Sequence, residues 1–538
     1  MVYALVSLPR SLSLPFSAAL TPKKKTRWGS HSQLSEDNMF NNTPELEESG
    51  LPPLVSALKA IVEQNEASFH FPGHNRGHAA PSSITQLIGI KPYAHDMGCI
   101  PALDTLFNPQ GPILEAQKEA AKLFGSSQTW FLVGGTTCGI QAAIMSTCSP
   151  GDYLILPRNC HLSAISGMVL SGAVPKYIVP DYKNDWDIPG GITPLQVLNA
   201  IKELELEGKK LGAVFITSPT YHGICSNLRE ISELCHSRKI PLIVDEAHGA
   251  HLGFNSEMPR SALQQGADLA VQSTHKVLSS LSQSSMLHMS GDIVDKDKIS
   301  RCLRTLQPTS PSFLLLASLD AARAQLSESP DVIFNQAVEL ANEAKNLLKR
   351  IPGISVLEHS SFPNFLAMDP LRLTVGFWEL GLSGYEADRI LLRDFGIVCE
   401  LVGNKSITYV LTHGTCREHV ERLVLGIKHL AATCSSIQQP KDIVLTGHAP
   451  FNDIIMKLIP RDAFFASKRK VAMKESIGKV SGELICPYPP GIPVLIPGEV
   501  ITERTVDHLL HVRSKGADIV GASDPLLSSI LVCDGNIY

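Results

Sequence analysis

Residues 241–276 read PLIVDEAHGAHLGFNSEMPRSALQQGADLAVQSTHK, and the organisation of the chain follows from this stretch. Two short apolar runs, 242–244 and 269–271, are typical of strands buried on both faces of a parallel sheet. Ligands of such sheets bind beyond the carboxyl ends of the strands. Asp245 directly follows the first run, and Lys276 follows the second. The sequence therefore predicts that two neighbouring strand ends bring a carboxylate and an amine to one place.

This pairing suits the chemistry of pyridoxal phosphate. A lysine amine can form a Schiff base with the cofactor aldehyde, and a carboxylate facing the ring nitrogen keeps that nitrogen protonated. Each residue also has a simpler interpretation, because an aspartate at a strand end often caps a turn and a lone lysine is usually solvated. The presence of both Asp245 and Lys276, with hydroxyls and a histidine beside the lysine, favours the cofactor interpretation.

Further segments in a set order extend this pattern over roughly residues 50 to 510. Together with DEAHGAHLGF and QSTHKVLSSLSQSSMLH they resemble the prokaryotic-type ornithine/lysine/arginine decarboxylases of PLP fold type I. The resemblance implies decarboxylation of lysine, arginine or ornithine to cadaverine, agmatine or putrescine plus carbon dioxide. The residues do not choose among these substrates. The segments are FHFPGHNRG (69–77), GPILEAQKEAAKLFG (111–125), FLVGGTTCGIQAAI (131–144), PRNCHLSAISGMVLSGAVP (157–175) and YPPGIPVLIPGE (488–499).

The expected fold is α/β, with a mostly parallel sheet in a large domain of the aspartate-aminotransferase-like type. A smaller α+β domain and a C-terminal decarboxylase domain should follow. Apolar strand-like runs alternate with helical patterns between residues 129 and 271, as a parallel sheet with helices on both faces requires. We expect a transit segment or disordered tail at 1–45, the large domain at 46–325, the small domain at 326–435 and the C-terminal domain at 436–538, with a linker near 435–441.

The resemblance also implies roles for single residues. Lys276 would hold the cofactor, Asp245 would pair with the ring nitrogen, and His161 would stack on the ring, although a histidine at this place could instead cap the next helix. Lys276 or His275 would return a proton to Cα. The glycines of GGTT precede a helical stretch, where free backbone N–H groups can bind a phosphate. The predicted cofactor-binding residues are Gly135, Thr136, Thr137, His161, Asp245, Ala247, His248, Ser273, His275, Lys276, Thr309 and Ser310.

Two of these residues imply a shared site. Thr309 and Ser310 resemble a segment that reaches the phosphate of a neighbouring subunit, which predicts a homodimer with shared active sites and leaves a higher oligomer open. An ordinary helix N-cap is compatible with that role. For the basic end of the substrate, Glu483 is the first candidate and Glu499 the second.

Composition excludes some other functions. The net charge of −5 argues against a nucleic-acid-binding surface, and no apolar run approaches the length that a membrane span needs. The 12 cysteines form no CxxC pair and show no metal-ligand spacing, so we expect buried free thiols in a reducing compartment. His70, His74 and His78 are spaced by four, but Pro72 and Gly73 argue against the helix that would make them metal ligands, and we predict no metal site.

The first 45 residues have the composition of an organellar transit peptide. They are rich in serine, carry five basic residues between Arg10 and Arg27, and contain no acid before Glu36. The hydroxyl bias favours the chloroplast, with the mitochondrion and the cytoplasm as alternatives. Together with the motifs, this segment predicts an organelle-targeted, plant-like member of the family.

Two other functions remain open at this point. A different PLP-dependent lyase or transferase reaction could occupy the same fold, because fold alone does not determine chemistry. A non-catalytic regulatory relative is the second alternative. Asn75, which stands where the family usually has lysine in the PGHNRG segment, leaves room for it.

Overall fold

A seven-stranded sheet organises the protein, and its strands are β1 to β7 in chain order. In the computed structural model, which describes residues 51–64, 66–435, 451, 454–488 and 491–534, their spatial order is β1-β7-β6-β5-β4-β2-β3. Strands β2 to β6 pair in parallel, and β7 is antiparallel to both of its neighbours. The prediction of a mostly parallel sheet is therefore confirmed. The strands are Gln128–Leu132 (β1), Tyr153–Pro157 (β2), Val174–Ile178 (β3), Leu211–Thr217 (β4), Leu242–Asp245 (β5), Leu269–Gln272 (β6) and Ser285–Met289 (β7).

The two central strands are buried along their whole length. Alternate side chains enter different apolar clusters, because successive residues of a strand point to opposite faces. Val244 and Ala270 belong to one cluster, whereas Ile243 and Val271 belong to another on the opposite face. Each fully buried aliphatic side chain of this kind stabilises the fold by roughly 1.5–3 kcal/mol.

Helices cover both faces of the sheet and continue through the rest of the chain. Their local sequence explains several helix ends. Pro112 occupies the first turn of α4, and Gly125 ends this helix in the left-handed conformation. The helices are Pro53–Glu63 (α1), Ser82–Ile88 (α2), Lys91–His95 (α3), Pro112–Phe124 (α4), Gly135–Thr147 (α5), Leu162–Ser171 (α6), Pro194–Leu206 (α7), Leu228–His236 (α8), Thr274–Val277 (α9), Lys296–Leu306 (α10), Phe313–Glu328 (α11), Asn335–Leu348 (α12), Gly384–Phe395 (α13), Arg417–Ser435 (α14), Pro460–Phe465 (α15) and Glu503–Lys515 (α16).

A second, four-stranded sheet lies within the residues predicted for the small domain. It consists of Ser355–Val356 (β8), Arg372–Gly376 (β9), Leu401–Val402 (β10) and Ser406–Val410 (β11), all paired antiparallel in the order β8-β9-β11-β10. The C-terminal residues add the pairs Lys468–Ala472 (β12) with Ser529–Cys533 (β15) and Cys486–Tyr488 (β13) with Asp518–Val520 (β14) around their own apolar cluster. Two shorter pairs join Tyr182–Lys183 to Ile188–Pro189 and Ile224–Cys225 to Ala367–Met368.

The described residues from Pro52 onwards form one compact unit, so the boundaries at 325 and 435 stay predictions. The predicted transit segment and nearly all of the predicted linker lie outside the described residues. No helix within the described ranges is both long and apolar enough to cross a membrane. All 12 cysteines are free, and burial raises the pKa of Cys138 and Cys160 to about 12, which agrees with a packing role.

Candidate active site

The ends of β5 and β6 meet as predicted. Asp245 is the last residue of β5 and lies opposite Val271 of β6. The chain continues from β6 into α9, which carries Lys276. The Nζ atom of Lys276 lies 2.9 Å from Nε2 of His248, the histidine of the DEAHG segment after β5. Two adjacent parallel strands thus bring a carboxylate, an imidazole and an amine together.

The surroundings of Lys276 favour a reactive amine. Its side chain keeps contact with solvent, but the protein atoms around it exclude enough water that burial lowers its pKa below the usual value. The carboxylates of Asp245 and Glu400 oppose this shift, whereas the charge of Arg372 adds to it. A lower pKa increases the fraction of neutral amine, which is the nucleophilic form.

Asp245 is a buried carboxylate whose charge a nearby cation would stabilise. Only 4% of its surface is exposed, and burial raises its pKa to about 6, against the opposing effects of the Ala247 N–H group and of Lys276. Its Oδ1 atom accepts a hydrogen bond from that N–H group at 3.1 Å. A protonated ring nitrogen would supply the missing positive charge, so this residue fits the pyridine ring of pyridoxal phosphate.

The start of α5 fits the phosphate group. Gly134 caps the helix, Gly135 adopts a positive φ of 72°, and no side chain bonds the free N–H groups of the first turn in place of a ligand. The hydroxyl of Thr136 lies 2.6 Å from that of Ser273 and donates to that of Ser285 at 3.1 Å. The structure thereby joins Thr136 with the turn that carries Lys276. Ser285, at the start of β7, was not identified from the sequence.

His161 caps a helix. Its Nδ1 atom accepts a hydrogen bond from the backbone N–H of Ser163 at 3.2 Å, at the start of α6. Burial and the charge of Lys276 lower its pKa to about 4, so the ring is neutral near pH 7. The capping alternative is therefore confirmed, and it leaves the flat neutral ring compatible with stacking, which stays a prediction.

Three further predicted cofactor contacts are His275, Thr309 and Ser310. The Nδ1 atom of His275 lies 2.7 Å from the carbonyl oxygen of Ser284, to which it can donate. Burial lowers the pKa of His275, and its hydrogen bond to Ser284 opposes that shift. Thr309 and Ser310 are exposed between α10 and α11, and no hydrogen bond between described residues of the single chain connects them to Lys276. Their proposed role across a dimer stays a prediction.

A buried network of charged and polar side chains, not predicted from the sequence, lies behind His248. Arg372, at the start of β9, is 1% exposed and donates from Nη2 to the carbonyl oxygen of His248 at 2.9 Å. Oδ2 of Asp369 lies 3.8 Å from Nε of Arg372 and 3.1 Å from Nε2 of His251. Burial opposes the charge of Asp369, but the contacts with His251 and Arg372 hold its pKa at about 2. The ring of Tyr221 packs edge-on against His248 at 4.9 Å.

Two sequence signals pointed towards this network. Arg372 is a charged residue at the start of an otherwise apolar strand, and His251 repeats the histidine of DEAHG three positions later. Neither signal identifies the residue that Arg372 or His251 contacts. His248 and Arg372 are 124 positions apart in the chain, and they meet only when the two sheets pack together.

The carboxylates of both predicted substrate acids, Glu483 and Glu499, accept hydrogen bonds inside the fold. The carboxylate of Glu499 accepts from Nε and Nη2 of Arg158 at 2.7 and 2.8 Å, and from the Ile496 N–H at 2.9 Å. The carboxylate of Glu483 accepts from the N–H groups of Ser523 and Leu531, both at 2.8 Å. Both glutamates are buried, and their oxygens are engaged inside the fold. These contacts give both glutamates a structural role in the C-terminal residues, and their binding of substrate stays a prediction.

Glu400 is an exposed acid whose charge acts on residues of the site. It lies just before β10, where its N–H group bonds the carbonyl oxygen of Thr408 at 3.1 Å. Its carboxylate is exposed and has no hydrogen bond or ion pair within the described ranges. Besides its effect on Lys276, its charge raises the pKa of Tyr221 and opposes the lowering of the pKa of His275.

The three histidines in and beside the FPGHNRG segment do not share a helix. Residues 68–79 are not helical, and His74 contacts Asp96 instead, with Nε2 3.2 Å from Oδ2. Asn75 is exposed and adopts a φ of 46°, a left-handed conformation that asparagine tolerates better than most residues. No group of three or more potential metal ligands occurs within the described residues.

Comparisons with known proteins agree with this geometry. Residues 52–368 match the major domain of the Orn/Lys/Arg decarboxylases, and residues 452–521 match their C-terminal domain. An arginine decarboxylase from Bacillus subtilis is 36% identical over 484 residues, covering 89% of this chain and 97% of that protein. A lysine decarboxylase from Pseudomonas aeruginosa is 25% identical, covering 86% of this chain and 76% of that protein. The crystal structure of a Francisella novicida lysine decarboxylase superposes with a TM-score of 0.78 at 22% identity, covering 90% of this chain and 82% of that one.

The protein is a PLP-dependent enzyme of fold type I, as defined by its sheet, its strand-end lysine and aspartate, and the superposition. Within that class, the chain belongs to the Orn/Lys/Arg decarboxylase family. It is a decarboxylase of a basic amino acid, as the sequence resemblance implied.

Proposed function

We propose that this protein decarboxylates arginine to agmatine and carbon dioxide. The observation that carries the reaction is the contact of Lys276 with His248 beside the buried Asp245. The choice of arginine is supported by relatives named arginine decarboxylase, which are 33–36% identical over 89% of this chain, compared with 24–25% for those named lysine decarboxylase.

The residues of the chain have separable tasks in this proposal. Bound pyridoxal phosphate supplies an electron-withdrawing ring that accepts the electron pair released with carbon dioxide. The amine of Lys276 holds the cofactor, and the carboxylate of Asp245 keeps the ring nitrogen protonated. After carbon dioxide leaves, Lys276 or His275 donates a proton to Cα of the substrate. Arg372 and Asp369 orient His248 through the contact of Arg372 with its backbone carbonyl.

Glu400 would bind the guanidinium group of the substrate. It is one of two carboxylates whose charge acts on Lys276, and the other, Asp245, is committed to the ring nitrogen in this proposal. Its exposed carboxylate can form a bidentate pair with a guanidinium, which a single ammonium cannot reproduce. A charge-assisted pair of this kind contributes roughly 1.5–3 kcal/mol, so Glu400→Gln should raise KM for arginine about tenfold or more.

A substrate assay tests the proposal. Purified protein with pyridoxal phosphate is incubated separately with arginine, lysine and ornithine, and the amines formed are identified by mass spectrometry. Agmatine should form with the highest kcat/KM. Predominant cadaverine or putrescine would refute the arginine assignment while leaving the reaction class intact. Glu400→Gln is measured beside Glu339→Gln, an exposed acid on α12, which should behave as wild type.

The proposal extends to a dimer with shared sites. Thr309 and Ser310 are exposed in one chain, where a neighbouring subunit's phosphate group could reach them. Mixing a Lys276→Ala protein with a Thr309→Val/Ser310→Ala protein under conditions of subunit exchange tests this. A shared site predicts that each hybrid dimer has one of its two sites intact. An equal mixture, in which about half of the dimers are hybrids, should therefore regain up to about a quarter of the wild-type activity. No regained activity, despite hybrid formation, would place these residues outside the site.

We also propose delivery to the chloroplast by residues 1–45. Their serine-rich, basic and acid-poor composition supports this, and the family match begins at residue 52. A fluorescent protein carrying residues 1–45 should enter chloroplasts of plant cells. Import into mitochondria, or retention in the cytoplasm, would overturn the organelle assignment.

A further inference from the structure

A cavity of about 140 Å³ lies apart from the residues of the active site. Its walls come from three distant parts of the chain: the hairpin 182–189, the residues 401–406 around β10, and the C-terminal residues 487–512. None of Lys276, Asp245, His161 or His248 lines it. His222 does line it, and its neighbour Tyr221 packs on His248.

Asp187 is the one acidic residue among the described residues that line the cavity. Asp187 contributes the carboxylate, and no lysine or arginine is among the described residues that line the cavity. Burial and then the charge of Arg372 lower the pKa of His222 to about 3, so its imidazole is neutral near pH 7. Burial also lowers the pKa of His508, and the charge of Asp187 opposes that shift. Burial and then the charge of Asp187 raise the pKa of Tyr385 to about 12. The charge of Asp187 thus acts on groups of the lining, while the charge of Arg372 acts on His222 from outside it.

Acceptor atoms and aromatic rings complete this lining. Asp187 accepts a hydrogen bond from the hydroxyl of Tyr182 and forms no ion pair in the described part of the chain. The side-chain oxygen of Asn404 is buried without a hydrogen-bond partner. Rings of Tyr182, Tyr385 and Phe451 face the same space. Carboxylate, amide oxygen and aromatic faces are the groups that bind an organic ammonium ion.

We propose that this cavity is a second binding site, for an aliphatic amine of the class that the enzyme produces. The volume suits this ligand, because a cavity of about 150 Å³ holds a molecule of six carbon atoms. An ammonium group would pair with Asp187 and donate to Asn404, while the carbon chain would lie against the aromatic rings. An anion or an uncharged apolar molecule would leave Asp187 unpaired. The ligand class rests on the proposed function, but direct binding can be measured without turnover.

Two measurements on the holoenzyme separate this site from the active site. Isothermal titration calorimetry with agmatine, cadaverine and putrescine, each in turn, counts all amine that binds. The visible spectrum reports amine that engages the cofactor. We expect calorimetry to detect about one more amine per chain than the spectrum does. Asp187→Asn should weaken this spectrally silent binding at least about tenfold, because a charge-assisted hydrogen bond is lost, and should leave kcat without added amine unchanged.

Matched variants make the result specific. Asp185→Asn removes an exposed carboxylate that does not line the cavity, and it should bind amine as wild type does. Asn404→Asp adds a second negative charge, and it should tighten the silent binding severalfold. Equal stoichiometry by both methods, or silent binding that neither Asp187→Asn nor Asn404→Asp changes, would overturn the second site. Failure of arginine turnover would instead affect only the substrate assay.

Discussion

Replacing Glu499 by glutamine should strongly destabilise the protein without weakening substrate binding. Glu499 pairs with Arg158, which follows β2, and thereby joins the C-terminal residues to the main sheet. The guanidinium also donates to the carbonyl oxygens of Pro493 and Val494, at 2.7 and 3.1 Å, and lies 5.1 Å from the ring centre of Phe451. One arginine therefore connects strand β2 with several C-terminal segments.

The burial of Arg158 and Glu499 sets the size of the expected loss of stability. The side chains of Arg158 and Glu499 are 1% and 5% exposed, so neither charge is hydrated when its partner is lost. Burial disfavours the charged guanidinium, yet Glu499 keeps the pKa of Arg158 above its usual value. Breaking a buried ion pair from one side costs about 3–5 kcal/mol. Glutamine keeps the shape and one acceptor oxygen, so we expect about 3 kcal/mol, a change of over a hundredfold in the unfolding equilibrium.

Urea unfolding followed by circular dichroism measures this loss. Glu499→Gln should lower the transition midpoint with an unchanged slope, because the surface exposed on unfolding stays the same. The double variant Arg158→Met/Glu499→Leu should recover most of the stability, since apolar residues of similar size need no partner. KM for the substrate should change less than about twofold in any variant that folds. Stability within about 1 kcal/mol of wild type, or a KM raised about tenfold, would refute this structural role.

Three further predictions concern the site and the N-terminal segment. Lys276→Ala should lose both activity and the visible absorbance of bound cofactor; a variant that kept both would rule out Lys276. Asp245→Asn should still bind cofactor, but with kcat at least about tenfold lower because the ring nitrogen loses its charged partner. In the cofactor-free protein the same change should stabilise the fold at pH 7.5 by up to about 3 kcal/mol. Because the pKa of Asp245 is raised to about 6, its contribution to stability is present below pH 3.8 and is lost as the pH rises through 6. The stability gained by Asp245→Asn should therefore shrink towards pH 4, which urea titrations at several pH values measure. Removing residues 1–45 should leave solubility and activity intact; loss of either in purified protein would show that the segment packs on the fold.

Much of the fold was predictable from local sequence. Buried parallel strands such as Leu242–Asp245 are continuous apolar runs, and their polar last residues mark the edge where a ligand binds. Helix ends followed Pro112 and Gly125, because each residue restricts or permits a particular backbone conformation. Local order thus predicted the pairing of Asp245 with Lys276, since adjacent parallel strands end at the same edge of a sheet.

Long-range partners were decided only by tertiary structure. Glu499 looked like a free acid in the sequence, but folding places it against Arg158, 341 positions away, in a dry interior where its charge must be paired. Arg372 and Glu400 looked like ordinary residues of the small domain until packing placed their charges near His248 and Lys276. A sequence shows which side chains carry charge. Whether a charge is solvated, paired or free for a substrate depends on which segments exclude water around it, and that is determined when the sheets and the C-terminal residues pack together.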